Sequence, residues 1–476
     1  MPTQKKTKIV ATLGPATSKK EVLKEMILEG VNVFRINFSH ANYDDVTARI
    51  AMIRELNDEL DISTAILADL QGPKLRVGVM KEEVVVQPGD VISFCTGKEF
   101  EGTSKKVYMN YDNFPQDVKP GERVLLDDGK LMFEVVSTDG KSQVKTKVIQ
   151  GGPLRSKKGV NLPNTKISLP ALTDKDKKDA VFAISQEVDW IALSFVRHAE
   201  DCKELQAIIK EHSDYKIPII AKIEKPEAVA NIEKIIAFCD GLMVARGDLG
   251  VEIPAEEVPL IQKELVVKAK KARIPVIIAT QMMETMISSL TPTRAEVNDV
   301  ANSIMDGADA VMLSGETSVG KYPVDVIKTM SKICKGVEDS PLIQVPQEPP
   351  HIKTNRYITK SICYHAALMA NEIDARAICT LTNSGYTAFQ ISAWRPDAHI
   401  LVFTSNKRIL SRLNLLWGVK AFYYDRYVST DETVDDVNKI ACKKKFVLKG
   451  DYLINLAAMP IIDKGMVNTL RVSQVK

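Results

Sequence analysis

Lys222, Glu224 and Asp248 are the residues whose types and spacing most directly suggest chemistry. They fall between Ile219 and Pro254, where two short apolar runs each end in charge. Side chains alternate along a strand, so Lys222 and Glu224 project from the same face. An ammonium and a carboxylate side by side, with an aspartate closing a later strand, suit a hard divalent cation next to an anionic substrate. Mg²⁺ takes one or two carboxylates and leaves its other positions to water and substrate oxygens. A structural ion pair is the plainer alternative. Against it stand the apolar flanks, because charges that close a buried run are costly unless they are used.

The elements that must position these groups are legible as apolar runs. Val- and Ile-rich segments occur at Lys8–Gly14, Val31–Phe38, Thr64–Leu70, Trp190–Val196, Pro218–Glu224, Gly241–Leu249, Pro275–Met282 and Ala308–Glu316. Near-continuous apolar strands are what a parallel sheet buried on both faces produces. Helical patterns lie between them, with capping boxes expected at Ser18–Glu21 and Thr293–Glu296 and a helix stop at Gly30. Eight alternating units predict a (β/α)₈ TIM barrel. Such barrels work at the C-terminal ends of their strands, so polar residues should collect there and nowhere else in the strands. Arg35, Asn37 and Ser39, then Asp69, then Lys222 and Glu224 occupy such ends. Arg246 with Asp248, Thr280 with Gln281, and Ser314 with Glu316 complete the series.

Two segments fall outside the barrel. Residues 71–170 read as β-rich with turn signals, too long for a connecting loop, and predict a lid domain inserted after strand three between barrel parts 1–70 and 171–345. On its return limb, Lys157 and Lys158 beside Gly159 could reach a phosphate. Residues 346–476 alternate helix and strand and predict a C-terminal three-layer α/β domain. A length of 476 residues accommodates about three domains. With 64 basic and 61 acidic residues the net charge is +3, which gives no field for nucleic acid. The lysine runs Lys268–Lys271 and Lys443–Lys445 read as solvated helix faces. No segment reaches a membrane-spanning length, the N-terminus shows no apolar leader, and the seven cysteines show no pairing pattern; a cytoplasmic location is expected. The six histidines have no metal-ligand spacing, so zinc is not expected.

In the C-terminal domain, Thr382, Ser384 and Thr387 surround Gly385 between a strand and a helix. Hydroxyls and free amides there could form an anion site, or simply an N-cap turn.

Six motifs, in order along the whole chain, resemble those of the pyruvate kinase family. They are Lys8–Pro15, Asn32–His40, Ser156–Pro163, Met243–Gly250, Ala279–Glu284 and Leu313–Thr317. The resemblance implies a barrel, a lid and a C-terminal regulatory domain. It implies transfer of the phosphoryl group of phosphoenolpyruvate to ADP, giving pyruvate and ATP in glycolysis, by a Mg²⁺-dependent transferase with Mn²⁺ as a substitute. On this basis Glu224 and Asp248 would ligate the metal, and Lys222 would neutralise the transferring phosphoryl group and the enolate oxygen. Arg35 would hold the phosphate, the Gly247 and Asp248 amides the carboxylate, and Thr280 would border the enolate carbon. Asn37, Phe38, Ser39, His40, Arg76 and Lys158 would contact the nucleotide. Thr382, Ser384 and Thr387 match a loop that takes phosphorylated effectors, and the family assembles as homotetramers.

One departure stands out. Many members carry Asp-Thr-Lys-Gly-Pro-Glu after strand three and need K⁺, whereas this chain has Asp69-Leu-Gln-Gly-Pro-Lys74. The Lys74 ammonium near Asp69 is expected to replace that ion. A Mg²⁺-dependent enolate-forming lyase or aldolase on the same barrel is the rival enzyme class. It would have no use for a nucleotide-binding lid. An inert sensor would be expected to lack Lys222, Glu224 or Asp248, and none of them is missing.

Overall fold

The computed structural model describes residues 5–81, 84–163, 165–340, 355–426, 429–461 and 465–476. Eight parallel strands close into a barrel: Lys8–Thr12, Val33–Asn37, Ala65–Asp69, Trp190–Leu193, Ile219–Ile223, Gly241–Ala245, Val276–Ala279 and Ala310–Leu313. Every expected apolar run supplies one of them. Their alternation fills two cores at once. Val10, Val33, Leu67, Ile220 and Met243 point into the barrel, while Ile9, Phe34, Ile66 and Leu242 pack outward against the helices. The period of two then settles where the strand ends aim. Thr12, Arg35, Asp69 and Lys222 each stand two residues beyond an inward-facing apolar residue, so they converge above a dry interior.

Local signals hold in part. Thr293 caps its helix as a capping box with Glu296, and Gly30 ends the first helix at φ 122°. Ser18 does not cap. Its backbone closes the 3-10 turn Pro15–Thr17 in a right-handed conformation, and Lys19 takes the cap position without a side-chain bond. Strand six stops at Ala245 rather than running to Leu249, because Arg246–Glu252 forms a helix.

The lid rises from strand three. Its six-stranded sheet surrounds Phe94, which meets Phe133 and Phe114 edge-on at 5.4 and 6.1 Å. The C-terminal domain is a five-stranded sheet, four strands parallel and the last, Thr469–Gln474, antiparallel. Helix Tyr357–Glu372 covers one face through Cys363, Ala366 and Ala370; helix Thr430–Lys443 covers the other through Val437 and Ala441. All seven cysteines are free thiols, and only Cys442 is exposed.

The expectation that polar groups avoid the other end of the barrel fails, because the C-terminal domain docks there. Leu415 enters the interior cluster from below, and Trp190 Nε1 donates to the Arg412 carbonyl at 3.1 Å. Lys8 Nζ donates to the Val419 carbonyl at 2.8 Å. Asp309, ahead of strand eight, receives Arg395 at 2.9 Å and Lys270 at 3.4 Å. Lys270 therefore departs from the solvated face expected of its lysine run; burial pulls its ammonium down to about 7. Groups so deeply buried are tolerated only when paired. Truncating Arg395 to Ala leaves the buried Asp309 carboxylate with only the Val276 amide at 3.0 Å and the more distant Lys270. Arg395→Ala is expected to lose about 3 kcal/mol of stability, read as a lower urea midpoint; an unchanged midpoint would count against this account of the interface.

Candidate active site

At the mouth of the barrel, Lys222 is held from three sides. Its Nζ lies 2.9 Å from Glu224 Oε1 and 3.2 Å from Asp69 Oδ1, and it donates to Ser194 Oγ at 2.7 Å. Asp69 in turn accepts from Arg35 Nε at 2.6 Å, and Arg35 Nη1 donates to Thr12 Oγ1 at 3.0 Å. Burial alone would pull the Lys222 ammonium down, but Asp69 and Glu224 outweigh it and push it above the usual lysine range. Burial pushes Asp69 up, yet Lys222 and Arg35 hold its carboxyl below normal. The two neighbouring carboxylates thus favour Lys222 as a cation. The strand-end ion pair between Arg35 and Asp69 does form, so Arg35 is partly occupied; among the described residues its Nη2 makes no hydrogen bond.

Glu224 answers to a different balance. Burial raises its carboxyl, Lys222 opposes this, and the nearby Asp248 charge raises it again, for a net upward shift. Among the described residues no cluster of three or more His, Cys, Asp or Glu could hold a metal. Two carboxylates near enough for one to act on the other are nonetheless what Mg²⁺ asks of a protein when substrate supplies further oxygens. Their mutual repulsion would be relieved by a divalent ion, so the donor set fits one.

Asp248 sits in the first turn of helix Arg246–Glu252, between two cavities. One, about 70 Å³, is lined by Lys74, Asn161, Phe195 and Lys225; the other, about 720 Å³, by Asp128, Gly247, Gln281 and Asp299. Asp128 of the lid borders both, which sets the lid over the mouth. The Gly247 amide, expected to meet a carboxylate, donates to Thr280 Oγ1 at 2.7 Å. Thr280 itself adopts φ 71° and Gln281 φ 55°. A β-branched residue there is strained, and such strain persists only where surroundings impose it. Arg246 imposes it: its guanidinium forks onto Asp299 at 2.6 and 2.7 Å and donates to the Thr280 carbonyl at 2.8 Å.

The residues expected to meet a nucleotide are less fully assembled. Asn37 Oδ1 caps the Phe38–His40 turn through the Ser39 amide at 3.1 Å. Phe38 is buried in the core against Phe182, so only its main chain could meet a ligand. Of His40, only the backbone lies within the described residues. Arg76 donates to the Lys157 carbonyl at 3.0 Å, and Lys158 pairs with Asp127 at 2.8 Å inside the lid. Lys74 is exposed and lines the smaller cavity, while Asp69 is neutralised by Arg35 and Lys222, not by Lys74. In the C-terminal loop Thr382 Oγ1 accepts from the Gly385 amide at 3.0 Å. Thr387 is buried, its hydroxyl 2.9 Å from Thr380, which removes it from an open anion site.

Sequence reasoning missed Ser194, Phe195 and the Arg246–Asp299 clamp. Ser194 was detectable: it stands at the end of strand four, where the strand-end rule should have been applied.

Residues 4–327 match the family model for the pyruvate kinase barrel domain, and residues 360–473 that for its alpha/beta domain. The chain belongs to the pyruvate kinase family. It is 42% identical over 470 residues to the pyruvate kinase of Corynebacterium efficiens, spanning 98% of each chain. The Geobacillus stearothermophilus enzyme is also 42% identical over 470 residues, which cover 98% of this chain and 80% of that one. A crystal structure of a pyruvate kinase from Cryptosporidium parvum superposes with a TM-score of 0.91 at 33% identity, covering 100% of this chain and 97% of that one. Family membership makes the chain a phosphotransferase and gives the lyase or aldolase alternative no support. Among the described residues no helix is long and apolar enough to cross a membrane.

Proposed function

We propose that this chain moves the phosphoryl group of phosphoenolpyruvate to ADP at the strand ends around Lys222. The observation that carries the reading is the Lys222 ammonium 2.9 Å from Glu224, with the Asp248 charge near enough to act on both. Phosphoryl transfer demands positioning and neutralisation of oxygens more than covalent help. Lys222 offers a charge that is already desolvated and oriented, so no reorganisation is needed as negative charge shifts to the enolate oxygen. Arg35, with Nη2 still open, presents a donor to the phosphate. Thr280, held rigid by Arg246, borders the reacting carbon. Glu224 and Asp248 would hold Mg²⁺, or Mn²⁺ in its place, which when bound supplies positive charge opposite the substrate carboxylate and enolate oxygens. Asn37, the Phe38 main chain, Ser39, His40 and Arg76 border the nucleotide; Lys158 joins them once lid movement draws it from Asp127.

Lys222→Met should leave both carboxylates in place while removing the charge used in the transition state. Its kcat is expected to fall by at least about a hundredfold with Mn²⁺ binding retained; wild-type kcat in that variant would sink the mechanism.

Independence from K⁺ is part of the same reading. Asp69 already has two cationic partners, and Lys74 adds charge at the cavity beside Asp248. The enzyme is expected to work in buffers free of K⁺ and NH₄⁺, and Lys74→Glu combined with Leu70→Thr and Gln71→Lys should bring K⁺ dependence. An unmodified enzyme that is inactive until K⁺ is added contradicts this.

Regulation completes the reading: a homotetramer with a sigmoidal phosphoenolpyruvate response, shifted by a phosphorylated metabolite at the exposed part of the Thr382–Ser384 turn. Light scattering should give a tetramer, and Thr382→Ala/Ser384→Ala should blunt the effector response. A monomer, or an unaltered response, argues the opposite.

A further inference from the structure

Immediately after barrel strand four the chain makes a turn that holds both members of the Lys222–Glu224 pair. Ser194 is 1% exposed, and its Oγ accepts from Lys222 Nζ at 2.7 Å. The next residue, Phe195, sends its backbone N–H to Glu224 Oε2 at 2.7 Å. To do so Phe195 adopts φ 54°, a left-handed conformation that a bulky aromatic residue rarely takes. Two consecutive residues therefore set the direction of the ammonium and of the carboxylate, one by side chain and one by main chain.

The same segment carries the stem of the lid. On the outgoing side, Ser194 Oγ donates to the Leu70 carbonyl at 2.6 Å, one residue before the chain leaves the barrel. Gly72 follows at φ 72°, so close that a Cβ added there would lie 2.6 Å from Phe195 Cδ2 and 3.0 Å from Ser194 Cβ. On the returning side, Arg197 Nη1 donates to the Ile167 carbonyl at 2.6 Å and Nη2 to the Leu169 carbonyl. The Arg197 carbonyl is itself tied to Asn231 Nδ2 at 3.2 Å, on the barrel side. Both limbs of the stem thus rest on four residues, Ser194–Arg197, that also grip the charged pair. Close-packed groups cannot shift singly, so a stem that moves carries this turn with it.

We propose that Ser194–Arg197 couples the seat of the lid to the orientation of Lys222 and Glu224, with Ser194, Phe195 and Arg197 as positioning residues. The inference rests on the catalytic and metal-binding roles given to Lys222 and Glu224 above. Ordinary packing of a loop against its neighbours is the competing account, and it differs in what it moves. A packing residue, once truncated, alters the amount and thermal stability of folded protein. A positioning residue alters kcat at constant KM for phosphoenolpyruvate.

The test uses the full-length enzyme with Ser194→Ala, Arg197→Met, their combination and Lys222→Met. Turnover, KM and unfolding midpoint are measured for each. Each of the first two singly is expected to lower kcat about tenfold, the scale of a lost orienting contact. KM for phosphoenolpyruvate should stay within about twofold of the starting enzyme. If both act through one turn, the double variant falls little further than the worse single one, since coupled sites are not additive. Multiplying losses in the double variant overturn the coupling, as does a Ser194→Ala enzyme with undiminished kcat beside an inactive Lys222→Met. A fully active Lys222→Met instead overturns the catalytic assignment beneath it. Should Ser194→Ala not fold, Phe195→Gly decides. It keeps the amide and suits the left-handed backbone while removing the ring from Gly72; lowered kcat with unchanged Mn²⁺ affinity supports the coupling, and unchanged kcat overturns it.

Discussion

A desolvated ammonium between two carboxylates governs the upper half of this molecule. Lys222 is nearly buried, and so are Asp69 and Glu224. Taking each such ion out of water costs several kcal/mol, recovered only when geometry is tight and remaining donors and acceptors are met. The surrounding structure can be understood as the means of meeting them. Arg35 answers the second oxygen of Asp69, Ser194 answers Lys222, and the Phe195 amide answers Glu224. Asp69 Oδ1 is met by the Lys222 ammonium at 3.2 Å. Cations that are fixed and dry, with Arg35 Nη2 still free to donate among the described residues, are what a site for a highly charged anion needs.

How much of this was legible depended on whether a residue's role was local. The eight strands announced themselves as apolar runs, and inward alternation carried Arg35, Asp69 and Lys222 to one place without further information. Roles set by distant partners were hidden. Lys270 sits in a lysine run that suggests solvent, and only the folded chain brings it to Asp309 and Arg395. Thr387 matches a hydroxyl pattern, but Thr380 claims its oxygen. Phe195 gives no warning of a left-handed backbone, since its type argues against one. Arg246 was read as a strand end; the helix it begins turns its guanidinium toward Asp299, some fifty residues further along the chain, and that clamp fixes Thr280.

The barrel's two ends use polarity for different purposes. At the mouth, charges are left partly open and face cavities. At the base, Asp309, Arg395 and Lys270 are paired within a domain interface, and Asn414 completes it by donating to the carbonyls of Asn32 and Ser63 at 3.1 and 2.9 Å. The same residue types thus give reactivity above and adhesion below, according to whether a second domain covers them.

Leu415, pressed into the base of the barrel, has one more effect. With Val10, Trp190, Ile220, Met243, Ile277 and Met312 it makes a continuous plug of side chains no more than 2% exposed. Water has no path along the barrel axis. The proton that converts an enolate to pyruvate therefore does not come up the barrel axis; the mouth, where two cavities open beside Asp248, is the wet side of the site.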